Sequence, residues 1–275
     1  MRTKQFVFLL VLTQLLFLTG VVKAEEVEQT PTEESLSENE QAQQDPAPPK
    51  PSDLTLKKLP VQIGKGFVGI FSGRNLRPLL IGSAATGGAV LVDDEIHNKF
   101  KNENDEAVSQ TANQLGRPYV LAPVLGALFI TGLNSENERF RSFSYSLVTG
   151  YVVDVAMYSS IKAVSNRERP DGSNRNAFPS GHATDSFMIA TVLHKHYGRK
   201  AGIIGYSVAS VIAGTRLKRD VHWFSDVVAG ATLGYIIGST VSAQTQSGEP
   251  SRMALMPRFD FVRKSYAVEL AIRLD

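Results

Sequence analysis

The sequence predicts a mainly α-helical protein, a helical bundle followed by a small C-terminal β-hairpin. From residue 59 to 248, segments with the period of helices follow one another and are separated by short polar breaks. Neither an internal repeat nor an alternation of strands and helices interrupts this series. In the last residues, 249–275, the apolar positions change to the two-residue period of strands. We therefore assign a helical domain to 59–248 and a strand pair to 249–275.

The first 24 residues have the pattern of a secretory signal peptide. Two basic residues, Arg2 and Lys4, precede an apolar core, and a Val-Lys-Ala sequence that ends at Ala24 offers small residues for cleavage. An uncleaved membrane anchor is the alternative. In either case we expect an exported protein in a bacterial periplasm, and cleavage predicts a mature chain that begins at Glu25.

Residues 25–58 are rich in Glu, Gln and Pro, and we interpret them as a disordered linker. Between residues 25 and 53, seven Glu and two Asp stand against one Lys. Such a segment cannot bury enough apolar surface to order itself. The whole chain has a net charge of only +2, so the part after the linker is basic. A basic domain suits an anionic substrate or a membrane surface, although ordinary surface charge would give the same balance.

Helical patterns occupy most of the domain. They cover segments around 68–71, 78–92, 106–115, 118–133, 136–164, 183–197, 200–215 and 223–242. The polar breaks between them include Asp93-Asp94-Glu95 and the long loop 165–181. Asp93, Asp94, Glu95 and His97 could be drawn as a metal cluster, but nothing in their spacing fixes a ligand geometry, so we expect no metal there.

The stretch Pro179-Ser180-Gly181-His182 stands between that loop and an apolar helix. Ser180 and Gly181 therefore fall where a helix offers unpaired N–H groups and the positive end of its dipole, an arrangement that suits an anion. Gly181 lets the backbone approach a ligand closely, and His182 adds a titratable imidazole. By themselves these four residues also fit an ordinary turn.

The segments on either side supply the rest of a reaction site. Lys162, Arg169 and Arg216 are cations that can neutralise phosphoryl oxygens, a role that other enzymes give to magnesium. Asp226 follows His222 by one helical turn, so it can orient one ring nitrogen and leave the other able to attack. This set of residues is suited to phosphoryl transfer without a metal.

These residues resemble the type 2 phosphatidic acid phosphatase family, whose superfamily also includes acid phosphatases and vanadium haloperoxidases. The resemblance rests on Lys162, six residues and Arg169-Pro170; on Pro179-Ser180-Gly181-His182; and on Thr215-Arg216, five residues, His222, three residues and Asp226. It covers roughly residues 60–243. Thr215 stands where the family has Ser, which keeps the hydroxyl. The fold implied is the helical bundle of the acid phosphatase and haloperoxidase type.

Residue roles and cofactors follow from the pattern and the resemblance together. We expect catalytic roles for His222 as nucleophile, His182 as proton donor and Asp226 as the partner of His222. The phosphate-binding residues would be Lys162, Arg169, Ser180, Gly181 and Arg216. No metal and no cofactor are expected, and vanadate should inhibit. Arg167 and Arg175 could widen the positive field over the site, but we interpret them as solvated loop residues, and Trp223 as a packing residue.

The membrane relationship is judged from charge-free runs. Beyond the signal, these are 118–135, which Pro123 interrupts, and 227–248, whose second half is polar. A spanning helix needs about 20 largely apolar residues. Many lipid-directed relatives have six spanning helices, and this chain does not show six. We therefore favour a soluble or peripheral domain, with at most peripheral contact with a membrane.

The predicted substrate is a phosphate monoester or pyrophosphate. The resemblance implies a lipid phosphate, such as phosphatidic acid or an isoprenyl pyrophosphate. A broad-specificity soluble acid phosphatase would use the same residues, and a vanadium haloperoxidase would hold vanadate in the same pocket, although the short gaps between the motifs leave little room for its insertions. A non-enzymatic envelope protein is the alternative from another class. No nucleic-acid partner is expected, and the sequence does not indicate an oligomeric state.

Overall fold

Helices form the body of the protein. A computed structural model describes residues 54–100, 111, 114, 117–246, 253–260 and 265–272. In chain order the helices are α1 (Leu59–Ile70), α2 (Leu76–Val90), α3 (Asp93–Phe100), α4 (Pro118–Leu133), α5 (Glu138–Ser165), α6 (Gly181–Lys218) and α7 (Phe224–Gln246). Short 3-10 turns, Leu56–Lys58 and Gly73–Asn75, precede α1 and α2. The predicted mainly α-helical bundle is confirmed for this part of the chain.

Helix α7 lies at the centre of the bundle. It packs against α1, α2, α5 and α6. The main core is an apolar cluster to which α5, α6 and α7 contribute, with buried side chains that include Leu147, Val153, Met188, Val192, Ile236, Ile237 and Val241. Full burial of one such side chain stabilises the fold by roughly 1.5–3 kcal/mol. This cluster holds the three helices that carry the candidate site residues.

A row of glycines brings α7 into backbone contact with α6. Gly230, Gly234 and Gly238 are spaced by four residues and therefore share one face of α7. A Cβ at Gly234 would lie 2.3 Å from the carbonyl oxygen of Thr184, and one at Gly230 would lie 2.6 Å from that of Ser180. Side chains are excluded at these positions, so α7 fixes the start of α6 through the main chain.

Helix α6 is a hairpin of two helical arms, 181–197 and 199–218. Gly198 breaks it with φ 81° and ψ −173°, a conformation that favours glycine. The second arm folds back on the first: the hydroxyls of Thr191 and Tyr206 lie 3.0 Å apart, and Gly202 packs directly on His194. The sequence patterns over 183–197 and 200–215 correspond to these arms. The fold-back returns residue 216 to the end of the bundle where α6 begins.

Helix α3 differs from the sequence-based expectation. The acidic run that begins at Asp93 was expected to be a break, but it forms the first turn of a helix. Acidic side chains at a helix N-terminus interact favourably with the helix dipole, so these residues suit the start of α3. The predicted helix over 106–115 and the predicted signal and linker up to residue 53 lie outside the described residues. Leu54, within the expected linker, is buried against the bundle.

Two strands follow the bundle. β1 (Met253–Asp260) and β2 (Ser265–Ile272) pair antiparallel, with Met253 opposite Ile272 and Asp260 opposite Ser265. The expected turn near Arg263 and Lys264 falls in 261–264, outside the described residues. The C-terminal β-hairpin therefore stays a prediction.

Within the residues that the structure describes, two helices are long and apolar enough to cross a membrane, judged by length and composition. They are α5 and α7, and α4 contains a shorter apolar segment, Tyr119–Leu133. Most of the apolar stretch of α7 is buried inside the bundle, whereas most of that of α5 is not. Core packing therefore explains the apolar composition of α7 better than that of α5.

Candidate active site

The loop between α5 and α6 carries the first part of the candidate site. Helix α5 ends where Asn166 adopts a left-handed conformation and its N–H bonds the carbonyl of Lys162 at 3.1 Å. The side chain of Lys162 then turns onto the loop, and its Nζ donates to the carbonyl oxygen of Asn176 at 2.7 Å. A backbone bond of 3.0 Å from Arg169 to Asn174 closes the loop on itself. The ammonium group of Lys162 and the backbone of Arg169 are thus held by main-chain contacts of the loop.

The start of α6 is the second part. Ser180 is fully buried, its N–H donates to the carbonyl oxygen of Asp226 at 3.0 Å, and its carbonyl accepts from Thr184. The hydroxyl of Ser180 makes no hydrogen bond within the described part of the chain. Next to it, a Cβ at Gly181 would touch the ring of Tyr158 at 3.4 Å. The hydroxyl of Ser180 is therefore its remaining unpaired donor in the described structure, because its N–H is already bonded.

The second arm of α6 brings Arg216 back to this end. Arg216 is only 5% exposed, and its charge interacts with that of Arg169. The hydroxyl of Thr215, which replaces the Ser of the family pattern, donates to the carbonyl of Ile212 at 2.7 Å within the helix. Thr215 therefore satisfies its hydroxyl locally, and the phosphate-binding role expected of Arg216 stays a prediction.

His222 and Asp226 form the third part. His222 lies in the short connection before α7, and Asp226 lies in its first turn. Both are buried, and Nδ1 of His222 is 3.5 Å from Oδ2 of Asp226. This distance is long for a hydrogen bond, and the contact would be an ion pair only if the imidazole were protonated. The predicted proximity of Asp226 to His222 is found, although His222 lies before α7 and not on it.

The electrostatic surroundings keep His222 neutral. Burial lowers the pKa of His222 to about 4; the charges of Lys162 and Arg216 act in the same direction, and Asp226 opposes them. A neutral imidazole carries one ring proton, and when that proton is on the nitrogen that faces Asp226, the other nitrogen has a lone pair available. The same interactions show that Lys162 and Arg216 lie near His222.

The structure thus brings most of the predicted residues together. Lys162 interacts electrostatically with Arg169 and Asp226, and Ser180 contacts Asp226 directly. His182 follows Gly181 in the first turn of α6 and is half-buried. Among the residues that the structure describes, no group of three or more His, Cys, Asp or Glu is placed to hold a metal ion.

The sequence did not indicate the contacts that Arg167, Trp223 and Asp93 make in this region. Arg167, expected to be a solvated loop residue, forms ion pairs with both Asp226 and Asp93. Trp223, expected to pack in the core, is half-buried, donates from its ring to the carbonyl of Glu168 and lies beneath the guanidinium of Arg167. These contacts could not be predicted from local sequence patterns, because they join distant segments: Asp93 and Arg167 are 74 residues apart. Arg175 does lie exposed, paired with Glu168.

A family model matches the part of the chain that carries these residues. Residues 141–248 match the PAP2 superfamily. The matched region begins in α5 and includes α6 and α7, so all eight predicted site residues fall inside it. Asp93 and α3 fall outside it.

Curated relatives and a solved structure are similar to the chain over different lengths. A lipid A 1-phosphatase of Porphyromonas gingivalis is 27% identical over 62% of this chain, and the chain spans only 40% of that relative. An undecaprenyl-diphosphatase of Sulfolobus acidocaldarius is 29% identical over 50% of this chain and 69% of its own length. The crystal structure of a transmembrane PAP2-type phosphatidylglycerolphosphate phosphatase from Bacillus subtilis superposes with a TM-score of 0.51 at 18% identity, covering 68% of this chain and 95% of that one. This last similarity concerns the fold.

Proposed function

We propose that this chain, whose residues 141–248 match the PAP2 superfamily, is a metal-independent phosphatase that acts on a lipid phosphate through a phosphohistidine. The observation that carries the proposal is the position of His222. Its Nδ1 faces Asp226 at 3.5 Å, and Lys162 and Arg216 lie close enough to lower its pKa. A neutral, oriented imidazole beside several cations suits attack on a phosphoryl group.

In the first step the Nε2 atom of His222 attacks phosphorus. A P–N bond forms as the bond to the leaving oxygen breaks, and His182 gives that oxygen its proton. Lys162, Arg169 and Arg216 neutralise the charge on the transferring oxygens, while the hydroxyl of Ser180 and the N-terminus of α6 donate hydrogen bonds to them.

In the second step water attacks the phosphohistidine. His182, which has lost its proton in the first step, accepts a proton from the attacking water. The P–N bond breaks, its electron pair returns to the ring nitrogen of His222, and inorganic phosphate leaves. Asp226 stabilises the positive imidazole ring in the intermediate, as the orienting carboxylate of a nucleophile–base pair does. The cycle needs water and no metal.

A lipid substrate is supported from two directions. By their names, the two curated relatives act on lipid A and on undecaprenyl diphosphate, both of which are phosphorylated lipids. The described part of the chain also exposes many large apolar side chains on α2, α4 and the second arm of α6. They include Leu79, Leu80, Val90, Val124, Ile130, Ile203, Ile204 and Val208.

This exposed apolar surface supports membrane association. These side chains lie on three helices, and a bilayer is an environment that would cover them. The sequence has few long charge-free runs, and we expected a soluble or peripheral domain for that reason. We give more weight to the exposed apolar side chains and propose membrane association. Export to a periplasm remains part of the proposal and rests on the signal-like pattern of residues 1–24.

The test is phosphate release by the full-length protein purified in detergent. Mixed micelles would present phosphatidic acid, an isoprenyl diphosphate and lipid A at the same concentration as a soluble alkyl phosphate, with His222→Ala as the inactive control. We expect a lipid phosphate to be hydrolysed well above the soluble one. Equal rates would favour a broad-specificity acid phosphatase, and no release from any substrate would overturn the proposal.

Fractionation tests the membrane association separately. The protein should sediment with membranes and require detergent for extraction. Recovery of the mature chain in the soluble fraction without detergent would contradict the association, whatever the activity.

A further inference from the structure

Asp93 makes an unusual set of contacts for a residue outside the family-matched region. It is the first residue of α3, is 5% exposed, and reaches across 132 positions of sequence to Ser225. One carboxylate oxygen accepts from the backbone N–H of Ser225 at 2.8 Å, and the other accepts from its hydroxyl at 2.6 Å. Asp93 thereby holds the residue that directly precedes Asp226.

Arg167 joins Asp93 to Asp226. Its Nη2 donates to Asp93 at 2.8 Å, and its Nη1 donates at 2.7 Å both to Oδ1 of Asp226 and to the hydroxyl of Ser225. The planar fork of a guanidinium suits two carboxylates in this way better than an ammonium does. Trp223 lies 5.6 Å from the guanidinium carbon and packs on its face.

These contacts separate Arg167 from the phosphate-binding cations. Both of its terminal nitrogens donate to carboxylates, and two negative charges offset its one positive charge. It therefore contributes little to the positive field at the phosphate. Its effect falls on Asp226, whose Oδ1 it fixes while the backbone N–H of Trp223 fixes Oδ2 at 2.8 Å.

We propose that Asp93 and Arg167 are positioning residues, which hold the Asp226 carboxylate in the orientation that sets the tautomer and direction of His222. This inference rests on the proposed function. It makes α3, an element outside the family-matched region, necessary for full activity. A carboxylate with both oxygens fixed cannot rotate away from the imidazole, and a misdirected orienting group costs an enzyme rate rather than substrate affinity.

The kinetic test compares Arg167→Ala and Asp93→Asn with two matched controls. Arg199→Ala removes an exposed arginine, and Asp94→Asn removes the exposed carboxylate next to Asp93. The positioning variants should lose about 10–100-fold in kcat, the loss seen when outer partners of an active-site ligand are removed. KM and the inhibition constant of vanadate should stay within about twofold of wild type. Arg167→Lys should recover only part of the loss, since an ammonium cannot serve both carboxylates.

A double-variant cycle separates positioning from direct phosphate contact. In an Asp226→Asn background, Arg167→Ala should cost little further activity, because the group through which it acts is already changed. An equal loss in both backgrounds, or a large rise in KM, would overturn the inference. Thermal unfolding of each variant identifies any loss that is due to misfolding.

Nitrogen-15 NMR of histidine-labelled protein in detergent tests the inference without relying on activity. The signals of His222 are assigned with His222→Gln. In wild type and in Asp94→Asn, His222 should carry its proton on Nδ1, facing Asp226. Asp93→Asn and Arg167→Ala should both show a mixture of tautomers. If both retain the wild-type spectrum, the inference fails even if the protein is an active phosphatase. If the spectra change but wild type releases no phosphate, only the proposed function fails.

Discussion

The backbone N–H of Ser180 donates to the carbonyl oxygen of Asp226 at 3.0 Å. This bond joins the start of α6, where phosphate is proposed to bind, to the first turn of α7, which orients the nucleophile. It also removes the N–H of Ser180 from the set of groups that could bind an anion. The buried hydroxyl of Ser180, which has no partner in the described structure, remains as its donor.

Ser180→Ala should therefore weaken binding of the phosphoryl group and leave the fold intact. Hydrogen bonds to charged groups contribute about 1.5–3 kcal/mol, so we expect a loss of roughly 10–100-fold in kcat/KM and a similar weakening of vanadate inhibition. Ser160→Ala is the control, since that hydroxyl only bonds a carbonyl one turn back in α5. Unchanged vanadate inhibition in Ser180→Ala would show that the hydroxyl does not bind the anion.

Gly230→Ala should disturb both stability and activity. Its new methyl group would meet the carbonyl oxygen of Ser180 at 2.6 Å, and overpacking of this kind costs about 1–3 kcal/mol. Gly87→Ala is the matched control, because nothing lies within 4 Å of that position and alanine is the better helix former. Thermal unfolding should show a lower Tm for the first variant and an equal or higher Tm for the second. A Tm of Gly230→Ala that is not lower than that of wild type would contradict the close contact.

The two histidines should respond differently to the leaving group. His222→Ala should abolish turnover of every substrate, because it removes the nucleophile. His182→Ala should lose about 10²–10⁴-fold on an alkyl phosphate and distinctly less on a nitrophenyl phosphate, whose phenolate leaves without a proton. Steady-state kinetics on both esters provide the measurement. Equal losses for both variants on both esters would refute the separate roles.

Activity should persist in acid further than an ordinary histidine would allow. The folded pKa of His222, about 4, lies below its unfolded value of 6.5. The imidazole therefore stays unprotonated, and able to attack, as pH falls through 6.5. The acid limb of kcat/KM should reflect a pKa near 4.

Asp226→Asn provides the comparison for that profile, since Asp226 raises the pKa of His222. Both enzymes are measured with the same substrate, so that the titration of the substrate affects both profiles equally. The acid limb of kcat/KM of the variant should then move to lower pH. The same pKa difference means that stability is lost as pH falls from 6.5 toward 4, because the unfolded chain binds the proton more readily. A limb near 6.5 in wild type would contradict the burial of His222.

Chelation should have no effect on turnover. Lys162, Arg169 and Arg216 are proposed to supply the charge that a divalent ion supplies elsewhere, so EDTA should leave phosphate release unchanged. Vanadate, which adopts the five-coordinate geometry of the phosphoryl transition state, should inhibit. Loss of activity with EDTA that magnesium restores would count against the proposed chemistry.

The sequence predicted the parts of the site that depend on local spacing. The apolar pattern predicted a helix from residue 183, and the structure begins it at Gly181. The proximity of Asp226 to His222 was predicted from their spacing of four residues. The contacts of Asp93 with Arg167 and Ser225 could not be predicted in this way, because they join segments 74 and 132 residues apart. Arg167 is a charged residue in a polar loop, which is typical of a solvated side chain. Only the packing of α3 against α7 gives it two carboxylate partners.

The reversal of α6 at Gly198 has a consequence for the order in which the protein folds. Its two arms meet through contacts between near neighbours in sequence, such as His194 with Gly202, so closing this hairpin costs little chain entropy. Ser180 and Arg216 can therefore come together before distant helices assemble. Asp93 must wait for a contact that spans 132 residues. Pulsed hydrogen exchange during refolding should protect the amides of α6 early, and the nucleophile should become correctly oriented only when α3 docks.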